Sequence, residues 1–165
     1  ISIKSKNEDE RLEAIHAINQ DTGRLVFPEL KKLIKDPSWR IRAEVCATLS
    51  FLRLPEALPL LEKAATDPDW VVRSNAVRAI GKLGALGEES LLRILQCNDR
   101  YACEAALAIL EQQGFLDKYV QYISSEDSEK VHTGIRFLQT MDQYGHSRLA
   151  RAALEKIKKD AHVHN

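Results

Sequence analysis

The chain has 165 residues, of which 44% are hydrophobic and 29% charged, and its 24 Lys+Arg balance 24 Asp+Glu. A chain this long buries roughly 70% of the surface its unfolded form exposes, so its core needs neither disulfides nor a metal, and Cys46, Cys97 and Cys103, with no C-x-x-C pair, suit a reducing compartment. Zero formal charge speaks against a nucleic-acid partner, and no apolar run reaches the roughly 20 residues of a membrane span, so a cytoplasmic or cytoplasm-facing location is expected.

Apolar periodicity predicts helices over residues 8–20, 24–35, 38–52, 56–66, 69–83, 87–97, 100–113, 116–123, 127–143 and 147–159, with no strand signal. Pro28 and Pro59 are placed in or near the first turns of their helices, where proline costs least. Gly23, Gly84, Gly114 and Gly145, with Leu54-Pro55 filling the gap in the series, read as helix C-caps. Between the helices, Asp36-Pro37-Ser38-Trp39-Arg40-Ile41-Arg42 returns as Asp67-Pro68-Asp69-Trp70-Val71-Val72-Arg73, a shift of 31 residues. Pro37 and Pro68 cannot donate a backbone hydrogen bond, and Ser38 and Asp69 are suitable N-caps for the helices that follow. The reference arginine recurs as Arg11, Arg42, Arg73, Cys103 and Val131, each followed by a small and two apolar residues at helical spacing. A helical hairpin cannot bury its apolar stripe alone, so such units stack. The expected fold is all-α: an α-solenoid of about five stacked helical hairpins, with repeats near 8–22, 23–53, 54–84, 85–114 and 115–145 and a capping helix over 146–160. These form a single domain, 1–165. The helix at 8–20 aligns with second helices and has no hairpin partner, which suggests a module taken from a longer protein.

The stretch Asp67 to Gly84 resembles a HEAT-like repeat of the short type also found in phycobilin lyases, and residues 36–52 resemble it almost as closely. The resemblance covers roughly residues 8–159 and implies a HEAT-like or armadillo-type superhelix. It further implies that Asp36, Arg42, Asp67 and Arg73 form a structural ladder between repeats, ending at the fourth repeat, where Cys103 replaces the arginine. Marks of enzymatic relatives are missing: none of the five histidines is followed by Glu, unlike the His-Glu iron ligands of HEAT-like deoxyhypusine hydroxylases, and the strongly basic face of HEAT-like DNA glycosylases has no counterpart in a neutral chain.

Constellations that carry chemistry are weak. His162-x-His164 has the spacing of a chelate but no third ligand nearby in sequence. Cys97 and Cys103 bracket a turn and could approach each other, although buried cysteines usually behave as small hydrophobes. Glu88-Glu89 and Glu126-Asp127 fall at helix N-termini, where they complement the macrodipole. Arg148, Arg151, Lys156, Lys158 and Lys159 form a basic tail that suits a capping helix. No phosphate loop, nucleophile elbow or H-E-x-x-H occurs.

A solenoid presents its second helices on the concave face. The repeat register places Glu13, Glu44, Asn75, Ala105 and Thr133 in one column there and His16, Ala47, Arg78, Ala108 and Arg136 in the next. The groove is then acidic toward Glu13 and Glu44 and basic toward Arg78 and Arg136, with Ala43, Ala47, Ala105 and Ala108 leaving room for a partner. Trp39 and Trp70, with Tyr101 near the same register, fill the joints between hairpins or, if exposed, form a binding edge. The expectation is a non-catalytic scaffold that binds a protein or peptide and requires no cofactor, metal or nucleic acid. The competing reading is a lyase-like or chaperone-like auxiliary subunit of the bilin-lyase type acting on a partner protein or small ligand.

Overall fold

The computed structural model describes residues 2–144 and 148–163. Gly145, His146 and His164, and the side chains of Lys156, Lys158 and His162, lie outside the described residues. The described residues are all-helical: α1 (Glu8–His16), α2 (Gln20–Leu33), α3 (Trp39–Leu52), α4 (Leu58–Ala64), α5 (Trp70–Lys82), α6 (Glu88–Ile94), α7 (Arg100–Gln112), α8 (Phe115–Tyr122), α9 (Ser128–Gln143) and α10 (Arg148–Val163). Short 3-10 turns at Pro55–Ala57 and Gly84–Gly87 lead into α4 and α6. Helical hairpins at a period near 31 residues make this an α-solenoid class of fold.

Two compact units divide the chain, Ile1–Ala105 and Ala106–Asn165. In the first, α3 packs on α5 and α1 on α3, so the second helices form one row, while α2 covers α3 and both α4 and α6 lie on α5. Its core is built from Ile15, Leu30, Ile41, Val45, Leu49, Leu61, Val72, Val77, Ile80 and Leu91, all essentially without exposure. Burial of each such side chain stabilises by about 1.5–3 kcal/mol before the opposing chain entropy. In the second unit α8, α9 and α10 pack mutually. Tyr119 lies between Phe137, at 4.2 Å between ring centroids, and Tyr122, edge-on at 5.5 Å.

Local sequence accounts for the helix ends, with three corrections. Asn19 caps α2 through Asp21 and Thr22 N–H, and Thr22 Oγ1 accepts from Asn19 N–H in return. That box starts α2 at Gln20, so Pro28 lies in the helix interior and Gly23 in its first turns, neither as expected from sequence. Gly23 is there for space: a Cβ would come within 2.2 Å of Leu52 Cδ2, where α2 crosses α3. Left-handed backbone occurs instead at Arg53, Gly84 and Gly114, which share one register. Ser38, the second expected cap, makes no side-chain cap bond, whereas Asp69 accepts from Val71 N–H at 2.9 Å.

Candidate functional site

The Asp-Pro turns hold the rows of the first unit together. Asp36 Oδ1 accepts from Ser38 N–H and Asp67 Oδ1 from Asp69 N–H, both at 2.9 Å, so each carboxylate is pinned within its own turn. Arg42 then reaches Asp67 bidentately, Nε at 2.8 Å and Nη2 at 2.9 Å, while its Nη1 donates to the carbonyls of Asp36 and Pro37. One repeat earlier, Arg11 Nη2 donates to Asp36 Oδ1 at 3.1 Å and its Nη1 to the carbonyls of Ser5 and Lys6, while its Nε stands 3.1 Å from Asp36 Oδ2 as an ion pair without a hydrogen bond. Arg73 closes the series by donating to the carbonyls of Asp67 and Pro68 and pairing with Asp99. Arg11 and Asp99 are the rungs that the sequence reading left out. Cys97 stands at the register of Asp67, so the acceptor moves two residues on to Asp99, whose carboxylate also caps α7 through Tyr101 and Ala102 N–H.

The electrostatics follow from this geometry. Burial alone pushes the Asp67 carboxyl up, but hydrogen bonds from Arg42 and from Asp69 N–H outweigh it and hold the carboxyl below its usual range. The same hydrogen bond raises Arg42, against desolvation. Glu62 is likewise held low, first by the Ser90 hydroxyl and then, against its own desolvation, by Arg93. All these groups are engaged by hydrogen bonds and ion pairs within the protein.

The second-helix face of the first unit carries two adjoining depressions that share Ala47. One, of about 300 Å³, is lined by Ile15, His16, Ile18, Glu44, Thr48 and Phe51. The other, of about 290 Å³, is lined by Ser50, Asn75, Arg78 and Lys82. His16 Nε2 lies 3.3 Å from Glu44 Oε1, joining α1 to α3. Asn75 Nδ2 donates to Ala43 O at 3.0 Å while its Oδ1 accepts from Arg78, so the residue ties α5 to α3. Ala43, expected to leave room for a partner, is instead buried. Glu13 is exposed on α1 but lines neither depression. Thr133 and Arg136, half-buried and exposed respectively, lie on α9 of the second unit. Phe51, Ser50 and Lys82 were missed in the sequence columns. They fall one helical turn beyond Ala47 and Arg78 on the same helices, and extending each column by i, i+3 and i, i+4 would have found them.

The aromatic residues stand at the opposite, N-terminal ends of the second helices. Trp39, Trp70 and Tyr101 are 45%, 67% and 76% exposed, so they do not fill the joints between hairpins. Trp70, Arg73, Ser74, Tyr101, Ala102 and Ala105 surround an open cleft of about 530 Å³. The packing reason is that Ile41 and Val72, two residues on, already occupy the core positions of this turn. A ring at the first helical position therefore projects outward.

Among the described residues no three His, Cys, Asp or Glu side chains come together as a metal site, and no helix is long and apolar enough to cross a membrane. Cys97 Sγ and Cys103 Sγ lie 3.8 Å apart.

Three solved structures similar to this chain share low identity with it. Two are engineered proteins from the Northeast Structural Genomics Consortium. The first is 17% identical, with a TM-score of 0.45 and 95% of this chain and 94% of that one covered. The second is 18% identical, with a TM-score of 0.46 and coverages of 95% and 86%. A designed armadillo repeat protein in complex with the peptide (KR)4 is 17% identical, with a TM-score of 0.45 and coverages of 93% and 87%. No curated protein matches the chain by sequence. The HEAT repeats family matches over residues 1–81 and again over 30–110, together spanning the same Asp-Pro turns and arginine rungs, and the chain belongs to that family.

Proposed function

We propose that this chain is a non-catalytic binding module whose first unit takes a segment of a partner protein along the second-helix face. The observation that supports this reading is the pair of adjoining depressions over α1, α3 and α5, floored by the small Ala47, with Phe51 exposed at one side. HEAT arrays build extended binding surfaces by repeating such positions. The face is polarised: Glu44, shared with His16, marks one end, and the exposed Arg78 and Lys82 mark the other. A fitting segment carries an apolar residue for the Ala47 and Phe51 position and an acidic residue further along it for Arg78 and Lys82. Asn75 is a positioning residue in this scheme, because its amide is already committed to α3.

The test is selection of peptides from a random display library on the immobilised chain, repeated on an Arg78→Glu, Lys82→Glu double variant with unchanged circular dichroism. Acidic peptides that bind the wild type and lose at least tenfold in affinity on the variant support the reading. A second surface has its own observation in its favour, the exposed rings of Trp70 and Tyr101, since aromatic anchors dominate many interfaces. Peptides that ignore the charge reversal but are lost on Trp70→Ala move the site to that edge.

A further inference from the structure

The repeat turn places an aspartate and an arginine six residues apart, Asp36 with Arg42 and Asp67 with Arg73, and in the next repeat both positions are cysteines, Cys97 and Cys103. Substitution of both members at once leaves the geometry of the turn in place. Where Arg42 and Arg73 donate to the carbonyl six residues back, Cys103 Sγ lies 3.5 Å from the carbonyl of Cys97 and 3.4 Å from that of Ile94. The two sulfurs are thereby held 3.8 Å apart, in van der Waals contact. Cys103 is fully buried in the first turns of α7, whereas Cys97 is half-buried in the loop before it, within 3.8 Å of Asp99 O.

We infer that Cys97 and Cys103 form a dithiol site that two-electron oxidants of the hydroperoxide class convert to an intramolecular disulfide. Disulfide formation asks the sulfurs to close by about 1.8 Å, to a bond near 2.05 Å, and the loop position of Cys97 gives it the χ1 freedom to move. The partly accessible Cys97 reacts first. Its thiolate attacks the terminal peroxide oxygen, the O–O bond breaks, and Cys97 becomes a sulfenic acid while hydroxide or alkoxide leaves and is protonated. The Cys103 sulfur then attacks the Cys97 sulfur, the S–O bond breaks, and the hydroxyl leaves as water with the Cys103 thiol proton. In sum, two thiols lose two electrons and two protons, and hydrogen peroxide becomes two waters. Cys103 acts as the resolving thiol and burial protects it from direct attack. Cys46 is the internal control: it is buried in α3, and burial, together with the Asp67 charge, pushes its thiol up to about 12. This inference is independent of the proposed binding function.

The sequence supplies a direct readout. Trypsin cuts after Arg93, Arg100 and Lys118 and so separates Cys97, in peptide 94–100, from Cys103, in peptide 101–118, while Cys46 falls in peptide 43–53. The folded chain is treated with stoichiometric hydrogen peroxide, alkylated, and digested without reductant. The expected result is a fall from three alkylatable thiols to one, with 94–100 and 101–118 recovered as one linked species that dithiothreitol separates, and no such species from Cys97→Ser. If Cys97 and Cys103 both remain alkylatable, if Cys97 accumulates as a sulfinic acid without the link, or if the link runs to Cys46, the inference is overturned. The wild-type digest decides among these results without relying on the folding of any variant.

Discussion

The first unit repeats one polar device: Arg11 to Asp36, Arg42 to Asp67 and Arg73 to Asp99, each guanidinium also bracing two carbonyls of its own turn. In the second unit Val131 stands at the arginine position, and adhesion comes from a knot of rings, Tyr119 against Phe137 and Tyr122, with Leu138 and Met141 also buried on α9. The close approach of α8 and α9 there depends on Gly134, whose Cβ would meet Tyr119 O at 2.7 Å. The contrast shows two ways to set the register of stacked hairpins. Directional charge-assisted bonds fix it at the turn ends in one unit, and shape-specific aromatic packing fixes it along the helix faces in the other.

The sharpest way to break the comparison is at the ring knot. Phe137→Ala removes a side chain that is 2% exposed and is expected to cost about 4 kcal/mol, with hydrogen exchange rising in α8 and α9 before the turns of the first unit respond. Next in size is Asp67→Ala, which removes the carboxylate that Arg42 pairs with bidentately and leaves its guanidinium largely buried. A cost of about 3 kcal/mol is expected in chemical denaturation. The pH dependence separates the two devices. Because the Asp67 carboxyl is held below its ordinary value, its stabilising contribution is fully present above about pH 4 and is lost as pH falls through the ordinary value to the lowered one. Asp67→Asn therefore flattens the acid limb of stability, and Phe137→Ala leaves that limb unchanged in shape. A smaller effect sharpens the comparison inside the first unit. Asp69→Ala loses a real cap and costs about 1 kcal/mol, whereas Ser38→Ala, at the same repeat position, changes thermal stability by less than about 0.5 kcal/mol, because the Asp36 side chain rather than the serine organises that turn.

Much of this was legible in the residues. All ten helices of the described chain lie where apolar periodicity put them, within a few positions, because a 3.6-residue stripe is a local property. The Arg42 to Asp67 contact was implied by the resemblance of residues 36–52 and 67–84 to HEAT-like repeats, not by the spacing itself. Its neighbours were harder to see. The Arg73 rung moves to Asp99 once Cys97 displaces the turn aspartate, and Asn75 turns inward to Ala43 rather than outward to a partner. Gly23 looked like a helix end because glycine serves both as a cap and as a point of close approach, and sequence alone does not distinguish the two uses.

Local repetition thus determined the helices, their hairpin order and the HEAT fold, since propensity, turn chemistry and periodicity act over a few residues and agree with one another. Only the tertiary structure decided which surface is left for a partner. Whether Trp70 fills a joint or faces solvent and whether Ala43 floors a groove or is buried depend on how α1, α3 and α5 stack and on which side chains reach the core first. Those are questions of volume and packing between segments about 31 residues apart, where close-packed interiors admit one arrangement and the rest of each side chain must turn outward.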